Sequence, residues 1–361
     1  MVPGRLGIGG SVLAIRAAEV RVAALRGAVV LACATLMSCA STKPASVPPS
    51  SSSLPAPYDT KYEFRLVDET LKSRWADERM YWIDDDRLLF QADVYPVGVK
   101  IPQKDGSLVP PKRYGLYLWD ERDRSLRQLE DTASGVCYTD GVLSYFARRG
   151  DQWLYLEGSF GAMKETPLAS DAKAPPRVRC RAVPPGTIPA RLIPLPGGGF
   201  LEDRRLAPGG ALPHRYYPHV DAAPVELPIN PVFLGTPRYS AYTRSHVFLS
   251  SHFDRATKTT AVLQVFIDGR TTTLKLTYGP WSNGVRVPLP TAKGWLLATA
   301  LDGVYLMREG EIEKISPGQV RDTAVSPDGC RAALKMHFGS GSSFRPMPVY
   351  VVNLCGEGGR Q

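Results

Sequence analysis

Few residues in this chain are equipped for chemistry. Its 361 residues hold five histidines, His214, His219, His246, His252 and His337. His246 and His252 bracket a strand-like run, HVFLSSH, so alternation puts both on one face. At about 3.3 Å per residue they would stand roughly 20 Å apart, too far to share a metal ion. His214 and His219 flank Tyr216-Tyr217 in a Pro-rich stretch. Asp84-Asp85-Asp86 carries carboxylates of the kind a hard cation accepts, but the triplet lies between two apolar runs and reads as a polar turn. Gly339-Ser340-Gly341-Ser342-Ser343 has Ser where a nucleophile elbow needs its last Gly. No HExxH, phosphate loop or EF-hand loop occurs. Neither a metal nor a cofactor is expected.

The N-terminus carries a different kind of chemistry. Arg5, Arg16, Arg21 and Arg26 precede an uncharged apolar run at 27–37, followed by Leu36-Met37-Ser38-Cys39. A basic stretch, a short apolar core and a small residue before the cut make a secretory signal. The core is too short to span a bilayer, which takes about 20 apolar residues. Leu-x-small-Cys resembles the lipobox of bacterial lipoproteins, although Met37 is an unusual occupant of its second position. The resemblance implies that residues 1–38 are removed and that Cys39 becomes the lipidated first residue. Ala40 stands where Asp retains enterobacterial lipoproteins at the inner membrane, which leans toward the outer membrane and a periplasmic location. In residues 40–57, eleven of eighteen are Ser or Pro, so residues 39–57 form a lipid-bearing spacer that cannot bury a core. Residues 58–361 remain for the folded domain. Without the leader the net charge falls from +9 to +6, and no nucleic-acid partner is expected.

Export also governs the cysteines. Beyond Cys33 and Cys39, four remain, Cys137, Cys180, Cys330 and Cys355. In an oxidising compartment an even count reads as two disulfides. Cys330 opens the run CRAALKMHF and Cys355 closes VYVVNLC. Paired antiparallel about the intervening loop, they face each other at the open end of a hairpin. The expected bonds are Cys330–Cys355 and, by elimination, Cys137–Cys180.

From residue 62 onward the pattern is of short apolar runs separated by Gly, Pro and Asp turns, with hardly any helical periodicity. The clearest unit covers 285–315: four runs, with turns at Ala292-Lys293-Gly294, Asp302-Gly303 and Glu309-Gly310. Four short antiparallel strands in about thirty residues make one propeller blade. The rhythm recurs at 81–129, 135–183, 231–276 and 320–354, and the Pro-rich 190–228 supplies a sixth unit with poorly marked strands. The fourth strand of the 135–183 unit is placed at 177–183. The fold class is therefore all-β, a propeller of about six four-stranded blades, with five to eight as the range. Its ring is closed by the otherwise unpaired strand at 62–67. Ala324-Val325-Ser326-Pro327-Asp328-Gly329, followed by CRAALKMHF and VYVVNL, resembles the TolB-like propeller repeat over one unit of the chain. The resemblance implies the fold and periplasmic company, and no activity.

Connections between blades share a face with the loops joining each blade's second and third strands. That face is assigned residues 95–112, 252–258 and 339–347, together with Trp281. Trp281, Phe344 and Arg345 are the residue types that anchor interfaces and are the candidate contacts. The function read from these features is a non-catalytic binding or scaffold lipoprotein serving an envelope protein or cell-wall component. The alternative is a propeller hydrolase, lyase or lactonase working on a glycan or small molecule from the channel.

Overall fold

The computed structural model describes residues 62–73, 79–94, 115–139, 141–168, 192–202, 215–227, 237–277, 286–338 and 346–356. Six antiparallel sheets follow one another along the chain, and the molecule is a six-bladed β-propeller. Blade 1 uses Met80–Trp82, Arg87–Val94, Gly115–Asp120 and Ser125–Glu130, with Leu71–Lys72 added beside Met80–Trp82 on the inner edge of the second strand. Blade 2 comprises Ala133–Thr139, Val142–Arg149, Gln152–Ser159 and Ala162–Pro167. Blade 3 is built from Leu192–Pro194, Phe200–Glu202, Arg215–Tyr217 and Val225–Glu226. Blade 4 is Arg238–Ser240, Ser245–Asp254, Thr259–Phe266 and Thr271–Thr277. Blade 5 is Leu289–Thr291, Gly294–Ala298, Val304–Arg308 and Glu311–Ser316. Blade 6 takes Gln319–Val325, Arg331–His337 and Val349–Asn353 from the C-terminal end and Phe64–Leu66 from the other.

Ring closure by the N-terminal strand thus matches the expectation, with Phe64 opposite Val352 and Leu66 opposite Tyr350. The outer edge of the last blade is covered in this way. The seam with blade 1 is tied at several heights. Ser73 and Met347 exchange two backbone hydrogen bonds of 2.8 Å. The Trp82 indole donates to the Ala324 carbonyl at 3.2 Å, and Arg65 pairs with Glu121. The Asp84–Asp86 turn is part of the tie. Asp85 accepts the Asp328 N–H at 2.8 Å, while the Arg331 guanidinium donates to the Asp85 carbonyl at 2.7 Å and pairs with Asp86 at 3.0 Å.

Asp328 belongs to the Ser-Pro-Asp-Gly turn, which is folded on itself. Gly329 (φ 74°) donates to the Ser326 carbonyl, and the Asp328 carboxylate accepts from Ser326 Oγ and the Cys330 N–H. Cys330 and Cys355 are joined, with Cα atoms 5.2 Å apart. Both lie one or two residues beyond the paired ends Arg331 and Asn353, where the Leu354 N–H donates to the Cys330 carbonyl.

Three expectations are corrected. The fourth strand of blade 2 is Ala162–Pro167, not 177–183, a stretch outside the described residues. An outermost strand faces solvent, and AMKETP carries no apolar run to announce it. Residues 252–254 belong to Ser245–Asp254, which leaves only a four-residue turn at 255–258. The first strand of blade 5 is Leu289–Thr291 and begins later than 285.

Candidate functional site

The inner strands converge on a central channel, and one end of it widens into a cavity of about 250 Å³. Its walls come from Arg79–Ile83 of blade 1, the end of the first strand of blade 2, Pro196 of blade 3, Pro237–Tyr239 of blade 4 and Thr323–Val325 of blade 6. The first turn of each contributing blade forms the rim, including Gly141, Arg244 and Pro327. Hydrogen bonds from blade to blade hold the walls. Tyr81 Oη donates to the Val136 carbonyl at 3.0 Å, and the Gly197 N–H donates to Thr139 Oγ1 at 3.2 Å.

Positive charge dominates. The described lining includes Arg79, Arg238 and Arg244 and no carboxylate. Behind this lining stands a carboxylate, Asp322, 1% exposed, on the inner strand of blade 6. A bulge between Val320 and Asp322 interrupts the ladder there. Arg238 of blade 4 forms an ion pair with Asp322, across the channel and past blade 5. The Thr323 N–H also donates to Asp322 Oδ1 at 2.9 Å, while Oδ2 has no hydrogen-bond partner. Burial pushes the Asp322 carboxyl above the usual range, against the pull of Lys335, Arg79 and Arg286. Four cations therefore surround one carboxylate.

Beneath the wall of blades 3 and 4 lies His246, fully buried. One of its ring nitrogens, Nε2, is 2.7 Å from the Pro196 carbonyl, which can only accept, so Nε2 carries the proton. Nδ1 has no hydrogen-bond partner. The ring sits between Tyr216 and Tyr239, at centroid distances of 5.5 and 5.4 Å. Burial lowers its pKa to about 4, the bond to Pro196 opposing the shift. The imidazole is neutral at any physiological pH and has its donor committed. The glycines after Pro196 make this packing possible. Gly197 has φ 76°, and a Cβ on it would stand 2.2 Å from the Tyr239 ring; one on Gly199 would stand 2.3 Å from the Tyr216 hydroxyl.

Among the residues singled out from sequence, the structure brings together Cys330 and Cys355. Cys137 is buried and disulfide-bonded. Cys39, Cys180, Trp281, Phe344 and Arg345 lie outside the described residues, as do residues 95–112. His246 lies beside the cavity, His219 is exposed on a blade 3 turn, and the Leu249–Phe253 register shift interrupts the alternation assumed between His246 and His252. Among the described residues no group of three His, Cys, Asp or Glu side chains is placed to hold a metal. Sequence reasoning missed Arg79, Arg238, Arg244 and Asp322. Arg79-Met80-Tyr81 and Arg238-Tyr239 share one signal, an arginine opening a short buried strand with an aromatic residue close behind.

No family model and no curated protein matches the chain. Solved structures similar to it include the acylaminoacyl peptidase of Pyrococcus horikoshii, at 11% identity and a TM-score of 0.35, covering 78% of this chain and 47% of that one. The chain therefore spans about half the length of that peptidase. BamB of Moraxella catarrhalis is similar at 13% identity and a TM-score of 0.29, over 81% of this chain and 98% of that one. The propeller domain of the Trilobed protease of Pyrococcus furiosus is similar at 8% identity and a TM-score of 0.34, over 81% and 85%. These likenesses concern the fold alone.

Proposed function

We propose that the chain is a lipoprotein of the bacterial cell envelope. In this reading it is anchored through Cys39 to the outer membrane and faces the periplasm. Its propeller acts as a non-catalytic binding or scaffold module for an envelope protein or cell-wall component. The observation that carries the binding part is the basic cavity at the channel end. It is a concave site on a rigid ring, with arginines and aromatic residues on its walls, the side chains that concentrate interface energy. Catalysis would need acids and bases converging on one point. Among the described residues Asp322 is instead clamped by cations, and His246 spends its proton on Pro196. Trp281, Phe344 and Arg345 stay in the proposal as candidate contacts.

The anchoring part rests on Leu36 to Cys39 and the Ser/Pro-rich spacer. Cys39→Ser should abolish labelling by a fatty-acid probe and leave unprocessed precursor; labelled mature protein in that variant would refute it. Crosslinking in the native envelope should capture a discrete partner. If nothing is captured and purified protein instead turns over a glycan or lactone, the hydrolase, lyase or lactonase reading replaces this one. The feature that favours that second reading is the raised Asp322 carboxyl with its unpartnered Oδ2.

A further inference from the structure

We infer that the basic cavity is a carboxylate-binding site, occupied by an acidic side chain or the chain end of a peptide segment of the partner. The inference rests on the binding role proposed above and names the chemistry of its ligand. Arg238 is committed to Asp322. Arg79 and Arg244 line the same cavity, and neither guanidinium makes a hydrogen bond or ion pair with a described residue. Arg79 is half-buried and close enough to Asp322 to lower its pKa, but that carboxylate already answers to Arg238, Lys335 and Arg286. A desolvated cation without its own counter-ion is unfavourable. A second anion in the cavity removes that deficit, and Arg244 at the rim attracts it there.

Size and wall chemistry narrow the class. About 250 Å³ falls just below the ~300–1,000 Å³ of pockets for drug-sized ligands, so the cavity suits one residue-sized group. Tyr81 and Tyr239 offer apolar contact to the atoms behind the carboxylate, and a guanidinium fork matches its planar geometry. Phosphate sites commonly recruit free backbone N–H groups, as at helix N-termini. Each inner strand is hydrogen-bonded along one edge only, but no helix, and so no helix N-terminus, occurs among the described residues.

The test uses the full mature protein and pentapeptide pools labelled with an uncharged, carboxylate-free fluorophore, read by fluorescence polarisation. One pool has a free C-terminus and no acidic residue, one has an amidated C-terminus and a single Glu, and the third is amidated with Gln in place of that Glu. The first or second pool should bind, identifying a chain end or a side chain as the source, and the third should not. Arg79→Gln should weaken that binding at least tenfold. So should Arg244→Asn, which removes an exposed charge and suits the left-handed backbone there (φ 49°), and which serves if Arg79→Gln fails to fold. Equal binding of the third pool, binding unchanged in the folded variants, or binding of inorganic phosphate with no pool bound would overturn the inference. Envelope crosslinking separates this failure from that of the binding role. A partner captured equally by unaltered protein and by the double variant refutes the carboxylate site alone. No partner captured by unaltered protein refutes the binding role.

Discussion

Blades 3 and 6 are held together in different ways. Blade 6 has two seven-residue strands, a third of five, a self-bonded turn, a disulfide and the N-terminal strand. Blade 3 has three strands of three residues and one of two. Its order comes from its neighbours: Tyr216, fully buried, packs with Leu195, Phe248 and Leu263, and Pro196 hands its carbonyl to His246 of blade 4. A blade can thus be specified within its own ladder or by the wall it shares with the next. The second kind places a buried aromatic cluster against the wall of the channel cavity, which both blades help to line, blade 3 through Pro196 and blade 6 through Thr323–Val325.

The comparison can be broken from either side. Tyr216→Ala should have the largest effect, about 3–5 kcal/mol of stability as for other large aromatic truncations in a core, read from urea denaturation. A loss below about 1 kcal/mol would mean that blade 3 does not depend on this cluster. Replacing Cys330 and Cys355 together by Ser should lower stability by about 3 kcal/mol in the chain-entropy model for a loop of this length. Reduction of unaltered protein, which also opens the disulfide of Cys137, should lower stability at least as much, and peptide mapping should recover a 330–355 link; a 137–330 or 180–355 link would contradict the register. Between pH 6.5 and 5, His246 gives the smallest and most selective effect. Its folded pKa of about 4 lies below the ordinary 6.5, so the unfolded chain takes up the proton first. The stability of neutral His246 is complete above pH 6.5 and drains away toward pH 4, by about 1.4 kcal/mol per pH unit. His246→Gln, which keeps a donor for Pro196, should flatten the profile between pH 6.5 and 5. A profile as steep as that of unaltered protein would place the titration elsewhere.

Legibility in the sequence followed the same division. Blades 5 and 6 announce themselves because Asp302-Gly303 and Ser-Pro-Asp-Gly turn the chain between apolar runs, and the cysteines at the ends of a hairpin imply their own pairing. Blade 3 is faint because two- and three-residue strands leave no room for alternation. Ala162–Pro167 was missed because Met163 is its one sizeable side chain packed on the core, and the rest of the strand is exposed without an apolar run. The cavity was missed for a different reason. Arg79, Arg238 and Asp322 lie on three separate blades, and only the closed ring brings them to one channel. The acidic triplet at 84–86 shows the limit of local reading: it is a turn, as expected, and also the tie that docks blade 6 onto blade 1.

The central claim, that this propeller binds through the basic channel mouth, is tested most directly by site-specific photo-crosslinking in the native envelope. A benzophenone side chain would replace Ala241, which lines the cavity beside the rim, and in a second variant Thr272, exposed on the outer strand of blade 4. A discrete adduct from position 241, absent from position 272 and lost when Arg79→Gln and Arg244→Asn are added, is the predicted result. Adducts of equal yield from both positions, or an adduct from 272 alone, would contradict it.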